Sequence, residues 1–293
     1  MPKKIGVKLP RKVLRRIYSN RKFVVRIDNK KTFSLIGTSN SLENSIYWNS
    51  LTKSDEGFSI ELLIKLIKLE KKLVFWDVGS NSGVFSILVK YTVPNATIVA
   101  FEPSKICLEK FQKNCVLNGF SYSKTVHNEF KAKNILIYEN ALSSSTTFLE
   151  LKYFSSFDNF TYGGKIVKND IGVLKAEKIQ TITASEIISS NKSLLPNFMK
   201  IDIEGHEDHA LLGFGNFLQE LQVVLIEILD DAIAKKIETF LNPEMYRYFD
   251  INDHTHRVLE CDHLKQSVSR NWFVVRRDQG LIINLLKSQN IAT

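Results

Sequence analysis

The sequence has few cysteines, little proline and no long apolar run. Three cysteines among 293 residues (Cys107, Cys115 and Cys261) are too few and too scattered for a disulfide framework, so a reducing cytosol is the expected compartment. The 13 glycines and 6 prolines exclude a fibrous protein. No apolar segment approaches the roughly 20 residues of a membrane-spanning helix, and the basic start lacks the apolar core of a signal peptide. We therefore expect a globular cytoplasmic protein.

Positive charge is concentrated at the N-terminus. Residues 1–31 contain 12 Lys and Arg and one acid, so they carry +11, whereas the whole chain carries +9 and the remainder therefore −2. A nearly neutral body argues against a nucleic-acid groove across the fold. The basic segment suits either an amphipathic helix on an anionic membrane or a solvated helix packed on the domain or on a second copy of the chain. We predict a basic N-terminal arm with a helical extension over residues 1–50 and one domain over residues 51–293.

From about residue 60 the pattern alternates between strands and helices. Such alternation predicts an α/β fold with a mainly parallel sheet and helices on both faces. Ligands of these sheets bind beyond the carboxyl ends of the strands, near the point where the strand order reverses. Four acids fall at or near predicted strand ends: Asp77, Glu102, Asp202 and Glu227. This coincidence predicts a ligand site at that edge of the sheet.

The first of these strand ends runs into a glycine turn, residues 77–83, with the sequence DVGSNSG. Gly79 and Gly83 lack the Cβ atoms that would block close approach of a ligand to the backbone. The glycine spacing of a dinucleotide-binding loop is absent, because position 81 is Asn and position 84 is Val. An acid at Asp77 suits a cationic ligand better than a pyrophosphate. A purely structural turn is the alternative.

Glu102 ends the second strand, 25 residues after Asp77. A carboxylate at this place can accept hydrogen bonds from both hydroxyls of a ribose, and it can equally be an acid that favours the start of the next helix. Together with the glycine turn, it points to an adenosyl ligand without a phosphate chain. S-adenosylmethionine has that chemistry, since its sulfonium and ammonium groups favour carboxylates and carbonyls.

Four segments, taken together, resemble the FkbM family of S-adenosylmethionine-dependent methyltransferases. They are residues 77–83, 101–103 (FEP), 140–142 (NAL) and 200–207 (KIDIEGHE). The resemblance implies a Rossmann-like sheet of seven strands whose last strand, here 271–276, is antiparallel. It also implies O-methylation of a hydroxyl on a sugar, glycan, glycolipid or other small metabolite.

Carried over by position, the resemblance assigns cofactor contacts to the first three segments. The methionine part would contact the glycine turn, the ribose Glu102, and the adenine the end of the third strand. The implied cofactor-binding residues are Asp77, Gly79, Ser80, Asn81, Gly83, Glu102, Asn140 and Ala141.

The fourth segment supplies the candidate catalytic residues Asp202, Glu204 and His206. An alcohol is a poor nucleophile at neutral pH, so Asp202 or His206 would take its proton, or a metal would activate it. Asp202 and Glu227 are the candidate Mg²⁺ ligands, as in catechol O-methyltransferase, with Asp230 or Asp231 as an uncertain third. The structural alternatives are a surface histidine for His206 and a backbone-bonded acid for Glu204.

Two further patterns favour structural roles. The cluster His254, His256, Cys261 and His263 lacks the paired spacing of zinc sites and is expected in a loop between the last two strands. The aromatic segment 153–162 is either a lid over an acceptor or a hairpin packed on the sheet.

Two other functions are weighed against O-methylation. A non-catalytic adaptor acting through the basic arm would not need the glycine turn or Glu102. A base-methylating enzyme would show an Asn/Asp-Pro-Pro-aromatic motif where this chain has residues 202–205, DIEG.

Overall fold

The computed structural model describes residues 21–36, 41–120, 122–124, 135–153, 165–166 and 173–289. A nine-stranded sheet forms its centre, in the order β13-β12-β14-β11-β10-β3-β4-β6-β5. The strands of this sheet are β3 (Val74–Val78), β4 (Thr97–Phe101), β5 (Tyr122–Lys124), β6 (Ile135–Tyr138), β10 (Phe198–Ile201), β11 (Val223–Glu227), β12 (Tyr246–Asn252), β13 (Arg257–Cys261) and β14 (Asn271–Arg276).

The predicted fold class is confirmed by the strand directions. The pairs β3–β4, β4–β6, β3–β10 and β10–β11 are parallel, and β14 runs antiparallel to both β11 and β12. The strand count was wrong, because β5 and β13 extend the seven expected strands at the two edges. β13 lies within the segment that was expected to be a loop, and it pairs with β12 as a hairpin.

Helices cover both faces of the sheet because the strand side chains alternate between two apolar clusters. These helices are α2 (Gly57–Ile67), α3 (Val84–Thr92), α4 (Lys105–Leu117), α5 (Ala184–Ser190), α6 (Glu207–Leu212), α7 (Asp231–Phe240) and α8 (Gly280–Ser288). Phe75 lies in the cluster formed with α2, α3, α4 and α8, whereas Val74 and Trp76 lie in the cluster formed with α5, α6 and α7.

A small second sheet lies after β6. It is formed by β7 (Ala141–Leu142), β8 (Phe148–Tyr153) and β9 (Lys175–Ile182), with β8 antiparallel to β9. The aromatic segment 154–162 lies outside the described residues, and Tyr153 itself is buried and donates its hydroxyl to Ser104 Oγ at 3.0 Å.

The N-terminal extension packs on the domain. β1 (Lys22–Arg26) and β2 (Thr32–Ile36) form a ribbon, and α1 (Ser41–Asn49) follows. Phe33, Leu35 and Ile46 belong to the same apolar cluster as α3 and α4. The domain boundary at residue 50 stays a prediction, but one apolar cluster contains residues from both sides of it. Residues 1–20 of the basic segment lie outside the described residues.

Among the described residues, no helix is both long and apolar enough to cross a membrane. The three cysteines are free thiols, and Cys107 and Cys115 are buried in α4 as expected for small apolar residues.

Candidate active site

A cavity of about 210 Å³ lies at the carboxyl ends of the parallel strands. It spans the place where the chain order reverses, since β4 follows β3 on one side and β10 lies on the other. The residues that line it are Leu42, Glu43, Glu56, Val78, Gly79, Ser80, Asn81, Ser82, Val84, Phe85, Phe101, Glu102, Pro103, Ala141, Leu142, Leu151, Ile166, Lys200, Asp202, Ile203, Glu204, His206 and Glu227. The edge of the sheet that the strand-end acids predicted therefore carries a cavity.

The glycine turn between β3 and α3 forms one wall. Gly79 has φ +79°, and a Cβ at this position would lie 2.0 Å from the carbonyl oxygen of Asp202. The N–H groups of Gly79 and Ser80 donate to the carbonyl of Phe101 at 3.1 and 3.0 Å. Glycine is thus required because three strand ends converge on the turn. Ser80 and Asn81 line the cavity as expected, whereas Gly83 does not.

Asp77 is fully buried and does not line the cavity. Its Oδ2 atom accepts hydrogen bonds from the N–H and the hydroxyl of Ser86 at 2.9 and 2.6 Å, and burial raises its pKa. The carboxylate therefore holds the start of α3 against β3. The expectation that Asp77 lines the methionine pocket is corrected to this supporting position.

Glu102 lines the cavity and is 7% exposed. Its Oε2 accepts the N–H of Asn81 and its Oε1 the N–H of Ser104, each at 2.8 Å. Burial raises its pKa to about 7, against the opposing effect of these two hydrogen bonds. Glu102 thus joins the glycine turn to the start of α4 while it faces the cavity. Its contact with the first turn of α4 is therefore compatible with a contact to a ligand. Ser104 itself makes no side-chain cap.

The third strand end supplies Ala141 but not Asn140. Ala141 and Leu142 line the cavity, whereas the Asn140 amide donates to the carbonyl of Gln180 at 3.4 Å and lies off the lining. The sequence alone could not show which of the two residues faces the cavity, because this depends on the start of β7 at Ala141.

Lys200, Asp202 and Glu227 form a charged cluster at the ends of β10 and β11. Lys200 Nζ lies 2.9 Å from Asp202 Oδ2 and 4.7 Å from the ring centre of Phe85. Burial would raise the pKa of Asp202, but the charge and hydrogen bond of Lys200, with a hydrogen bond to Glu227, hold it below its ordinary value. Burial and the negative charge of Asp202 raise the pKa of Glu227. Glu227 therefore holds a proton more strongly than an ordinary glutamate, although the Arg270 guanidinium lies 3.9 Å from its Oε1.

This cluster does not fit a divalent cation. Mg²⁺ needs carboxylate oxygens that are free to ligate it, whereas the Lys200 ammonium group pairs with Asp202 at 2.9 Å and the Arg270 guanidinium lies 3.9 Å from Glu227. Asp230 caps α7 through the N–H groups of Ala232 and Ile233. In the part of the chain that the structure describes, no group of three or more His, Cys, Asp or Glu is arranged to hold a metal. The Mg²⁺ prediction receives no support from the residues present.

Glu204 and His206 line the cavity from the turn that follows β10. β10 ends at Ile201, and Glu204 and Gly205 have φ of +59° and +103°. Glu204 is paired with Lys165 at 2.7 Å. His206 Nε2 lies 2.9 Å from Ser143 Oγ, and burial with the nearby charge of His209 lowers its pKa to about 4. His206 is thus a buried neutral imidazole rather than a surface residue.

Glu207 fixes the turn that carries these residues. It is fully buried, and its Oε1 accepts the N–H groups of Ile203 and Gly205 at 3.1 and 3.2 Å. Burial raises its pKa to about 7. The side chain therefore closes the loop between β10 and α6 and keeps the loop backbone beside the cavity.

Sequence reasoning missed three charged lining residues, Glu43, Glu56 and Lys200. Lys200 carried a usable signal, since a lysine inside an apolar strand and two residues before an acid suggests a buried ion pair. Glu43 and Glu56 carried none, because only folding brings α1 and the start of α2 over the strand ends.

The histidines and the cysteine near the last strands have different partners in the structure. His263 pairs with Glu238 at 2.8 Å, His256 stacks on Phe58 with ring centres 5.1 Å apart, and Cys261 lies in β13. This part of the chain therefore serves packing and surface pairing rather than metal binding.

The sum of charges makes the cavity negative. Its charged lining residues are Lys200 and six carboxyl groups, namely Glu43, Glu56, Glu102, Asp202, Glu204 and Glu227. The Ser80 hydroxyl is buried without a hydrogen-bond partner among the described residues. A cavity of this kind favours a cationic ligand that also offers hydrogen-bonding groups.

Comparison with known proteins agrees with this geometry. The sequence profile described as the methyltransferase FkbM domain matches residues 77–261. The hexuronic acid methyltransferase AglP of Haloferax volcanii is 28% identical over 184 residues, which cover 62% of this chain and 66% of AglP. Methyltransferase 1 of Beauveria bassiana is 26% identical over 161 residues, 53% of this chain and 64% of the relative. The chain thus spans just under two thirds of each relative.

Among solved structures, a SAM-dependent methyltransferase from Agrobacterium tumefaciens has a TM-score of 0.42 and 9% identity, over 87% of this chain and 70% of that one. The fold assignment rests on the strand order given above, not on this distant similarity.

Proposed function

The chain belongs to the FkbM methyltransferase family, and from that premise we propose that it transfers the methyl group of S-adenosylmethionine to a hydroxyl oxygen of a sugar or of another small metabolite. One observation carries the proposal: the glycine turn after β3 and Glu102 after β4 face the same negatively charged cavity. When bound, S-adenosylmethionine supplies an electrophilic methyl group on a sulfonium cation.

The residues present fit such a donor. Gly79, Ser80 and Asn81 would hold the methionine part, and the unpartnered Ser80 hydroxyl can hydrogen-bond to it. Glu102 would accept hydrogen bonds from the ribose, since each of its oxygens has accepted only one backbone N–H. Ala141 would lie against the adenine. Asp77 and Gly83 support this binding from behind the cavity wall.

Asp202 is the proposed proton acceptor. The acceptor oxygen forms a bond to the methyl carbon as the carbon–sulfur bond breaks, and the hydroxyl proton passes to the Asp202 carboxylate. Lys200 favours the ionised form of this carboxyl group, whereas burial and the charge of Asp202 raise the pKa of Glu227 and favour its protonated form. Much of the rate would come from holding oxygen, carbon and sulfur in line.

Glu204 and His206 are proposed to orient the acceptor. His206 is neutral and lies on the cavity wall, so it can donate or accept a hydrogen bond with a sugar hydroxyl. Glu204 forms an ion pair with Lys165, so a negative and a positive charge lie side by side next to the cavity. The similarity to a hexuronic acid methyltransferase supports a sugar acceptor, and an acidic sugar would offer a carboxylate to Lys165.

Calorimetry with S-adenosylhomocysteine tests the donor half of this proposal. We expect the wild-type protein to bind, and Glu102→Gln to bind at least about tenfold more weakly because a charged hydrogen-bond acceptor is lost. Glu109→Gln, an exposed acid on α4, is the matched control and should bind as the wild type does. A well-folded wild-type protein that does not bind would overturn the proposal.

A radiolabel transfer assay tests the acceptor half. Labelled methyl donor is supplied with a uronic-acid oligosaccharide, a neutral oligosaccharide or RNA. Incorporation into either saccharide supports the proposal, and preference for the acidic one supports the role of Lys165. Incorporation only into RNA would show that the acceptor class is wrong.

A further inference from the structure

The N-terminal extension contributes a carboxylate to the cavity. Glu43 on α1 lines it and is 1% exposed, although the match to the family begins only at residue 77. A glutamate is seldom buried to this extent. Its side chain also faces the cavity, so the extension places a carboxyl group beside the donor site proposed above.

Glu43 and Glu102 bind consecutive residues of the glycine turn. The Ser82 hydroxyl donates to Glu43 Oε1, and the Asn81 N–H donates to Glu102 Oε2. The negative charges of both glutamates, after burial itself, contribute to raising the pKa of the Cys107 thiol, so both carboxylates lie near the start of α4. The two acids thus reach the same end of the cavity from different elements.

Asn114 on α4 and Asn118, which follows the last residue of α4, anchor the extension in this position. The Asn114 amide donates to the carbonyl of Ser82 at 3.0 Å and its oxygen accepts the N–H of Ile36 in β2 at 2.9 Å. The Asn118 oxygen accepts the N–H of Ser34 at 2.8 Å. One buried side chain therefore joins the glycine turn to the strand that precedes α1, which fixes Glu43 relative to Ser82.

We propose that Glu43 is a further cofactor-binding residue, which shares the two ribose hydroxyls of the methyl donor with Glu102. This inference rests on the proposed function. Each oxygen of Glu102 keeps one acceptor site beside its backbone N–H, and Glu43, which faces the same cavity, adds a second carboxyl group for the two donors of a vicinal diol. The extension is then part of the donor site and not only an appended arm.

Calorimetry on Glu43→Gln tests this role with three ligands: S-adenosylhomocysteine and its 2′-deoxy and 3′-deoxy analogues. We expect the substitution to weaken S-adenosylhomocysteine binding by about tenfold or more. It should weaken at least one deoxy analogue by less than about threefold, because the hydroxyl that Glu43 contacts is then missing. Glu61→Gln is the matched control, since Glu61 pairs with Lys65 on α2 and does not line the cavity.

Other outcomes overturn the inference. Unchanged binding in Glu43→Gln excludes a ligand contact. Equal losses for all three ligands show that Glu43 acts only through the glycine turn. Weakened S-adenosylhomocysteine binding with unchanged binding of 5′-methylthioadenosine places Glu43 at the ammonium group instead. If Glu43→Gln unfolds, Glu43→Asp is measured in the same way. Failure of the wild type to bind any of these ligands would refute the proposed function itself.

Discussion

A buried carboxyl group can serve as an acid, a base or a structural acceptor, and its neighbours decide which. Asp202 and Glu227 illustrate this at the scale of single residues. Both are acids at strand ends, but the Lys200 ammonium lies 2.9 Å from Asp202, whereas the Arg270 guanidinium lies 3.9 Å from Glu227. Against the effect of burial, Lys200 holds the pKa of Asp202 below its ordinary value, while burial and the charge of Asp202 raise the pKa of Glu227. Of the two, Asp202 is the carboxyl group whose ionised form is favoured.

Asp202→Asn should therefore separate catalysis from binding. We expect methyl transfer to fall by about 100-fold or more, because the amide cannot take the hydroxyl proton. Affinity for S-adenosylhomocysteine should stay within about threefold of the wild type, since the side chain keeps its shape. The measurements are radiolabel turnover and calorimetry, with the exposed Asp262→Asn as control. Turnover at the wild-type rate would refute the proposed role.

At the scale of elements, the site depends on how closely the strand ends approach. The turn after β3 packs against the residue that follows β10 because Gly79 has no side chain. Glu207 closes the turn after β10 by accepting a hydrogen bond from the Ile203 N–H. α3 is held to β3 by Asp77 and Ser86. These contacts make two loops into one wall of the cavity, so a change in either loop is expected to alter both.

Gly79→Ala tests that contact. The new Cβ would lie 2.0 Å from the Asp202 carbonyl oxygen, so the strand ends must separate, and we expect a loss of about 3 kcal/mol or more in the free energy of unfolding. Gly119→Ala is the control, because its φ is +70° but nothing lies within 4 Å of its Cβ. It should cost only about 1 kcal/mol, the strain of the left-handed backbone. Urea unfolding measures both, and equal losses would contradict the steric argument.

At the scale of the whole molecule, the N-terminal ribbon and the central sheet share one core. Leu35 in β2 is fully buried in the cluster that contains Leu88 of α3 and Phe111 of α4. The Asn114 and Asn118 side chains add polar links across the same contact. A shared core of this kind predicts that residues 21–49 unfold together with the sheet rather than as a separate arm.

Leu35→Ala should therefore destabilise strands far from it. We expect a loss of about 2–5 kcal/mol, from lost burial and the cavity left behind. Faster amide exchange should appear in β10 and β11 as well as in β2, measured by mass spectrometry. Val24→Ala is the control, because Val24 is 64% exposed, and its effect should be below about 0.5 kcal/mol. Protection of β10 that does not change would show that the ribbon unfolds independently.

Periodicity and turn residues in the sequence were sufficient to predict the parallel sheet and the edge at which the cavity lies. Strands buried on both faces are continuous apolar runs, and the glycine turn and the acids mark where they end, so the position of Glu102 after a strand was predictable. The antiparallel last strand was implied only by the family resemblance. The edge strands β5 and β13 were not, because short edge strands have one partner only and little pattern of their own.

The tertiary structure alone decided which side chains reach the cavity and in which protonation state. Asn140 and Ala141 are adjacent in the sequence, but only Ala141 lines the cavity, because β7 starts at Ala141. Glu43 and Lys200 join the site from elements separated by more than 150 positions. Burial and the nearby charge of Asp202 raise the pKa of Glu227. Burial and electrostatic coupling depend on distances in space, and local sequence patterns do not encode those distances.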